Sequence, residues 1–187
     1  KDLSERSAGS TDPLRLKAVS PPVAEYLFHA VLSRQATTIA EFGTSAGYST
    51  IHLAAAASRN KGRVHTLDRE AQKTAWAKEN LLACGLETSV ELFTGECVDF
   101  VETLPDSPDF VLFDFGVPHF SPHWPKIRNK MAPGSMLFVD GWENLQRWET
   151  EPDWKAFKTT MEADPEFLST MLPLEKGNLL ATRLATV

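Results

Sequence analysis

Short apolar runs alternate with stretches whose apolar residues recur every three or four positions, almost to the end of the chain. Val23, Leu27 and Val31 fall four apart after Ser20-Pro21. That spacing predicts a helix over about 21–34, opened by a capping hydroxyl and a proline in its first turn. Thr38 to Phe42 predicts the first strand, and an alanine-rich stretch over about 47–58 the next helix. Arg63 to Leu67 reads as strand two, Glu70 to Cys84 as a helix stopped by Gly85, and Val90 to Phe93 as strand three. A short helix through Phe100 and Leu104 leads to Asp109 to Phe113, the unbroken apolar run expected of a strand buried on both faces. A helix near 121–131, strand five at Met136 to Val139 and a helix over about 153–163 follow. Phe167 to Leu172 and Asn178 to Arg183, joined by Pro173 to Gly177, predict a closing antiparallel hairpin. Five strand–helix units and a hairpin imply an α/β fold: a mostly parallel sheet of seven strands with helices on both faces.

Residues 1–19 change this picture at one end only. They are polar and irregular, with Ser7, Gly9, Ser10 and Pro13, and are expected to form a mobile lead-in, leaving 20–187 as a single domain. A chain of 187 residues, 42% apolar and 24% charged, has the composition of one soluble domain with a real core. A net charge of −6 argues against a broad phosphate-binding surface, so nucleic acid is not an expected partner. No run approaches the roughly 18 apolar residues of a membrane span, and no membrane partner is expected. No signal peptide is visible, although a chain opening on Lys1 leaves room for an upstream segment. Cys84 and Cys97 lack metal-type spacing and read as reduced thiols of a cytoplasmic protein.

The candidate chemistry starts at Gly43-Thr44-Ser45-Ala46-Gly47, between the first strand and the alanine-rich helix. A strand, a tight glycine turn and a helix in that order expose backbone N–H groups at a helix N-terminus, which favours an anionic group. Asp68 ends the next apolar run about 20 residues beyond, where a ribose-binding acid is expected. The turn therefore reads as a nucleoside-cofactor site. Three other readings compete. The same five residues fit the nucleophile elbow G-x-S-x-G with Ser45 as nucleophile, but the chain before them has no room for the upstream strands an elbow needs. A dinucleotide site wants G-x-G-x-x-G, and here neither 45 nor 48 is glycine, Tyr48 filling the close-packing position. The turn could also be a plain α/β connection that binds nothing.

The carboxyl ends of the strands repeat the theme. Glu41, Asp68, Glu96, Asp114 and Asp140 follow or end strands one to five in turn. One acid in such a place is usually a solvated loop residue or a helix cap. Five crowded at one crevice would repel one another unless met by a cation or by hydrogen-bond donors. The expected ligand is thus cationic or rich in hydroxyls and amines, not laden with phosphate.

Ile39 to Thr50, Val64 to Asp68, Asp109 to Asp114 and Met131 to Asp140, in that order, resemble the class I S-adenosylmethionine-dependent methyltransferases. Within these the chain is similar to the small O-methyltransferases of the catechol and caffeoyl-CoA type. The likeness covers about 20–184, and Glu41-Phe42-Gly43 with Gly47-Tyr48-Ser49-Thr50 carries it most specifically. It implies a Rossmann-like, doubly wound fold, S-adenosylmethionine as cofactor and a small aromatic or hydroxylated molecule as methyl acceptor. It also implies roles. Asp68 accepts hydrogen bonds from the ribose hydroxyls. Glu41 and Asp114 face the methionine ammonium. Backbone N–H groups around Gly43 and Ser45, with Ser49 nearby, hold the methionine carboxylate. Glu96 and Cys97 lie beside the adenine edge.

The implied reaction is in-line attack by an acceptor oxygen on the sulfonium methyl, helped mostly by positioning and, for a phenol, by deprotonation. Metal-dependent relatives use an acid after strand four, an Asp-Asn pair after strand five and a lysine three residues beyond the first acid. Here Asp140 precedes Gly141, Val117 stands at the lysine position and Asn144 does not align. A divalent metal is therefore not expected. His119 is the expected catalytic base, with His123 behind it, since the segment Phe115 to Trp124 should overhang the crevice; packing of His119 among Phe120 and Trp124 is the competing reading. Trp142, Trp148 and Trp154 follow strand five and are expected to line an acceptor pocket, cap the fold or form a homodimer contact. A nicotinamide-type oxidoreductase and a non-catalytic cofactor-binding domain remain as alternatives from other function classes.

Overall fold

The unbroken apolar runs become strands because their alternate side chains enter two separate cores. The computed structural model describes residues 14, 16–115, 121–142, 152–175 and 177–185. Its elements are α1 (Pro21–Arg34), β1 (Thr38–Phe42), α2 (Tyr48–Arg59), β2 (Arg63–Asp68), α3 (Ala71–Ala83), β3 (Val90–Thr94), α4 (Cys97–Thr103), β4 (Phe110–Phe113), α5 (Trp124–Lys130), β5 (Met136–Val139), α6 (Pro152–Ala163), β6 (Phe167–Leu172) and β7 (Asn178–Arg183). Phe110 and Leu112 of β4 join Ile39 and Phe138 in a core roofed by α1 and α2. Val111 and Phe113 join Ala40, Phe42, Leu137 and Val139 in the other, against α4, α5 and α6. A strand with both faces covered cannot alternate apolar with polar, which is why these runs read as continuous.

The seven strands form one sheet in the order β3-β2-β1-β4-β5-β7-β6. β3, β2, β1, β4 and β5 are parallel, while β7 runs antiparallel between β5 and β6. The expected doubly wound sheet with its closing hairpin is the observed one, and the second hairpin strand is the one that meets β5. The order reverses between β1 and β4, and ligands in open α/β sheets bind at the carboxyl ends beside such a reversal. Among the described residues, no helix is long and apolar enough to cross a membrane.

Helix ends follow the sequence with one exception. Beyond α3, Gly85 N–H donates to Leu82 O at 3.1 Å and Leu86 N–H to Leu81 O at 3.0 Å, the paired bonds of a glycine-type helix stop. Ser20 does precede α1, but its hydroxyl makes no capping bond and is buried without a hydrogen-bond partner. The start is set instead by proline in the first turn and by the Ser20 carbonyl, which accepts from Ala24 N–H at 3.0 Å. Leu16 and Val19, at the end of the lead-in, are buried. The helix expected near 121–131 divides into a 3-10 turn over Ser121–His123 and α5, whose second residue is Pro125.

Asp109 joins the amino-terminal ends of the two interior strands β1 and β4. Its Oδ2 accepts from Thr37 N–H at 2.7 Å, Thr37 Oγ1 at 3.0 Å and Thr38 N–H at 3.0 Å, tying the entry of β1 to that of β4. Burial pushes its carboxyl up, but these bonds and the nearby Arg34 outweigh that and leave it below the ordinary value of 3.8. A depressed carboxyl stabilises the fold above its unfolded pKa, and the contribution fades as pH falls through the folded one. Asp109→Ala should cost about 1–3 kcal/mol in urea unfolding at pH 7. The gap to wild type should close as the pH is taken down through 3.8 and below; a gap independent of pH would remove the ionised carboxylate from the explanation.

Candidate active site

Five backbone bonds knit the carboxyl ends of the parallel strands into one rim. Gly43 and Thr44 N–H both donate to Leu67 O at 2.9 Å, Gly95 N–H to Asp68 O at 3.1 Å, Asp114 N–H to Phe42 O at 2.9 Å and Asp140 N–H to Phe113 O at 2.9 Å. Each joins a residue just past one strand to the end of its neighbour. The rim therefore brings together the turn after β1, Asp68 ending β2, Glu96-Cys97 after β3, Asp114 after β4 and Asp140 after β5.

Gly43 is demanded by this rim. Its φ is +117°, and a Cβ built there would stand 2.6 Å from the Asp114 carbonyl oxygen. Any side chain would push the turn away from β4, a backbone that cannot yield cheaply. Gly47 has φ +86° and opens α2 as an N-cap without a side chain. A small cleft, open to solvent, lies at this helix start. Leu16, Lys17 and Ala18 line one side of it, and Thr44, Ser45 and Ala46 with Tyr48 and Ser49 the other.

Glu41 lies under the turn, not in the open crevice. It is fully buried, and its oxygens accept from Ser49 Oγ at 2.6 Å, Thr50 Oγ1 at 2.5 Å and Thr66 Oγ1 at 2.6 Å. Thr66 in turn lies 2.6 Å from Thr44 Oγ1. Burial pushes the Glu41 carboxyl up, the three hydroxyls pull it down, the Asp68 charge adds to the rise, and the net direction is upward. The Ser49 hydroxyl is thus committed inward. Asp68 is half-buried, with Oδ2 accepting from Ser45 N–H at 2.8 Å and Oδ1 from Glu70 N–H at 2.9 Å. The Gly43 and Ser45 N–H groups are both engaged within the chain, which leaves the start of α2 beside the cleft as the anion-favouring end of the turn.

The remaining expected residues divide by exposure. Glu96 is exposed at the start of α4 and Cys97 is buried behind it. Burial and the Glu96 charge push the Cys97 thiol up to about 12, so it stays protonated at neutral pH and is no nucleophile. Asp114 and Asp140 are half-buried at the ends of β4 and β5. Among the described residues, no group of three or more His, Cys, Asp or Glu side chains could hold a metal ion. His119, Val117, Asn144 and Trp148 lie outside the described residues, and His123 ends the 3-10 turn before α5. Trp142 and Trp154 are core residues, 0% and 1% exposed, with ring centroids 5.3 Å apart. At that burial they are not exposed to a partner. Their apolar surface fills the space between α6 and the sheet, a role their position after strand five does not distinguish from a pocket wall.

Two residues that brace the turn were not foreseen. Asn80 Nδ2 on α3 donates to Ala46 O at 2.9 Å, and a Cβ at Gly47 would come within 3.2 Å of the Ala77 Cβ.

Residues 40–142, which carry the whole rim, match the family model described as methyltransferase domain. The chain belongs to the methyltransferase-domain family. Relatives and solved structures that it resembles are O-methyltransferases. A catechol O-methyltransferase of Niastella koreensis is 31% identical over 127 residues, covering 66% of this chain and 57% of that protein. A catechol O-methyltransferase of Mycobacterium tuberculosis is 36% identical over 98 residues, covering 52% and 44%. The chain thus matches less than two thirds of the length of these relatives. Among solved structures it resembles the O-methyltransferase TomG of Streptomyces achromogenes in complex with S-adenosylmethionine, at 25% identity and TM-score 0.81, over 90% of this chain and 82% of that one. It also resembles a Bacillus cereus O-methyltransferase in complex with S-adenosylhomocysteine, at 25% identity and TM-score 0.80, over 91% and 84%.

In this methyltransferase domain the buried Glu41 gives a prediction of its own. A carboxyl raised in the fold destabilises it progressively as pH rises above the ordinary value of 4.5, because the folded state holds the proton more tightly. Glu41→Gln should gain stability relative to wild type over that rise, while Glu41→Ala, which strands three hydroxyls, should lose about 1–3 kcal/mol. Urea titrations from pH 4 upward read both; a wild-type-to-Gln difference that is flat with pH would show that the carboxyl binds its proton equally in the folded and unfolded chain, and would remove the upward shift.

Proposed function

We propose that the protein is an S-adenosylmethionine-dependent O-methyltransferase acting on a small aromatic or hydroxylated molecule. The observation that carries the reading is the half-buried Asp68 carboxylate at the end of β2, beside the glycine turn of β1 and tied to it through Ser45. The donor set fits the cofactor. Asp68 offers carboxylate lone pairs to a ribose diol, a charge-assisted pairing. The start of α2, with Lys17 across the cleft, suits a carboxylate. Asp114 suits an ammonium, and Glu96 with the neutral Cys97 thiol suits the polar edge and face of adenine. Bound there, S-adenosylmethionine would supply a methyl group already activated on a sulfonium.

The chain's own part is to place the acceptor and take its proton. We assign the proton to a ring nitrogen of His119, in the segment that follows β4. The acceptor side of the rim rests on aromatic residues: Phe42 stacks on the half-buried Phe115 at 6.0 Å and 9°, and meets Phe113 edge-on at 5.0 Å. The catechol O-methyltransferases among the relatives favour a phenolic acceptor. No divalent metal is assigned a role, because Gly141 supplies no side-chain oxygen beside Asp140 and a hard cation wants several oxygen ligands.

Calorimetry separates the cofactor classes. S-adenosylhomocysteine should bind and NAD should not, and Asp68→Ala should weaken the binding by about 1–3 kcal/mol. Tight NAD binding with none for S-adenosylhomocysteine would sink the reading. In a methyl-release assay over a panel of phenols, His119→Ala should lower turnover by about 10²–10⁴-fold with cofactor affinity unchanged. The wild-type rate should fall below about pH 6.5, as the imidazole becomes protonated, and EDTA should leave it intact. Near-normal turnover of His119→Ala would return that histidine to loop packing, and a loss on EDTA restored by Mg²⁺ would bring a metal back.

A further inference from the structure

Thr44 to Gly47 form a four-residue turn closed by Gly47 N–H donating to Thr44 O at 2.8 Å. The second residue of that turn, Ser45, has φ +48°, a left-handed conformation that favours glycine and strains any residue with a Cβ. Such strain survives only where surrounding groups over-determine the backbone, and it collects at ligand sites. Two side chains do this here. Asp68 Oδ2 accepts from Ser45 N–H, and Asn80 Nδ2 donates to Ala46 O at 2.9 Å. The Ala46 carbonyl and the Gly47 N–H belong to one planar peptide and point in opposite directions. Asn80 therefore holds one side of that plane while Thr44 O holds the other. Ala77, one turn earlier on the same face of α3, packs against Gly47 from behind. Ser45 and Ala46 line the cleft at the start of α2, so the orientation of this peptide shapes the wall a ligand meets.

We propose that Asn80 is a positioning residue for cofactor binding: by fixing the Ala46–Gly47 peptide from α3, it keeps Ser45 in the left-handed turn that forms the methionine-side wall of the cleft. The inference rests on the S-adenosylmethionine reading above. Without the amide N–H the peptide is free to rotate, Ser45 leaves the left-handed region, and the wall is lost while the sheet stays intact.

The test is a double-mutant cycle with S-adenosylhomocysteine as the titrant, on the full chain. Asn80→Asp keeps the shape but replaces the donor with an acceptor that repels the Ala46 carbonyl, and Asn80→Ala removes the group. Each should weaken binding by about tenfold. Ser45→Gly relaxes the left-handed residue, so the turn no longer needs the brace, and Asn80→Asp in the Ser45→Gly background should cost less than about threefold. A purely structural asparagine would show the same loss in both backgrounds. Equal losses, or wild-type affinity in both single Asn80 variants, would overturn the proposal. So would failure of both Asn80 variants to fold by thermal melting while the wild type binds. A wild-type chain that does not bind S-adenosylhomocysteine would instead defeat the methyltransferase reading on which the inference stands.

Discussion

One buried carboxylate ties together the three elements that meet at the glycine turn. Glu41 belongs to β1, takes two hydroxyls from the first turn of α2 and a third from β2, and through Thr66 reaches Thr44 in the glycine turn. A buried carboxylate bonded to hydroxyls rather than to a cation is an expensive way to stabilise a fold, since desolvation opposes the charge. What it supplies is direction. Each oxygen fixes where a neighbouring backbone must run, so the turn after β1, the start of α2 and the end of β2 cannot shift independently. The rest of the crevice is arranged around a turn that is already set.

The hydrophobic cores place this turn but do not shape it. Their two layers, one under α1 and α2 and one under α4 to α6, determine that β1 lies between β2 and β4 and that the strand ends are level. The last ångström is set by short backbone bonds from each post-strand residue to its neighbour, and by the contact of Gly43 with the Asp114 carbonyl. Burial energy scales with area and has no preferred direction, so it cannot distinguish a rim in register from one displaced by half a residue. Hydrogen bonds can, because their geometry is narrow. Fold and site thus depend on different physics within the same strands.

That division also governs what could be read from the residues alone. Element type and order were legible down to a residue or so, including the hairpin, because periodic apolar positions are a local record of burial. So was the glycine turn with Asp68 on the adjacent strand end. The polar partners were not. Ser20 has the identity of a helix cap, yet its hydroxyl caps nothing, since residue type does not reveal where a side chain turns. Trp142 and Trp154 look the same in sequence whether they face a ligand or a core, and the packing of α6 decides for the core. Asn80 lies 34 residues from the carbonyl it holds, and no local pattern encodes that meeting. Glu41 was expected to face a ligand and instead faces hydroxyls from the chain, because its β1 register points it at α2.

The turn itself shows why such distant partners are needed. A left-handed residue other than glycine costs on the order of 1–2 kcal/mol, and Ser45 carries that cost. A glycine at 45 would remove the strain and, with it, the need for a brace from outside the turn. With serine, the allowed alternatives are fewer and the required one is held from outside by Asp68 and Asn80. A ligand meeting this wall need not order it, which saves the entropy that a flexible loop would surrender on binding. The other end of the crevice repeats the device without strain. Asn178, buried in β7, accepts from Gly141 N–H at 2.9 Å and donates to Leu174 O at 2.9 Å, fastening the turn after β5 to the closing hairpin. A side-chain amide can do this because it carries a donor and an acceptor on one small rigid plane. The closing hairpin is therefore more than an edge to the sheet, since it holds the turn after β5 as α3 holds the turn after β1.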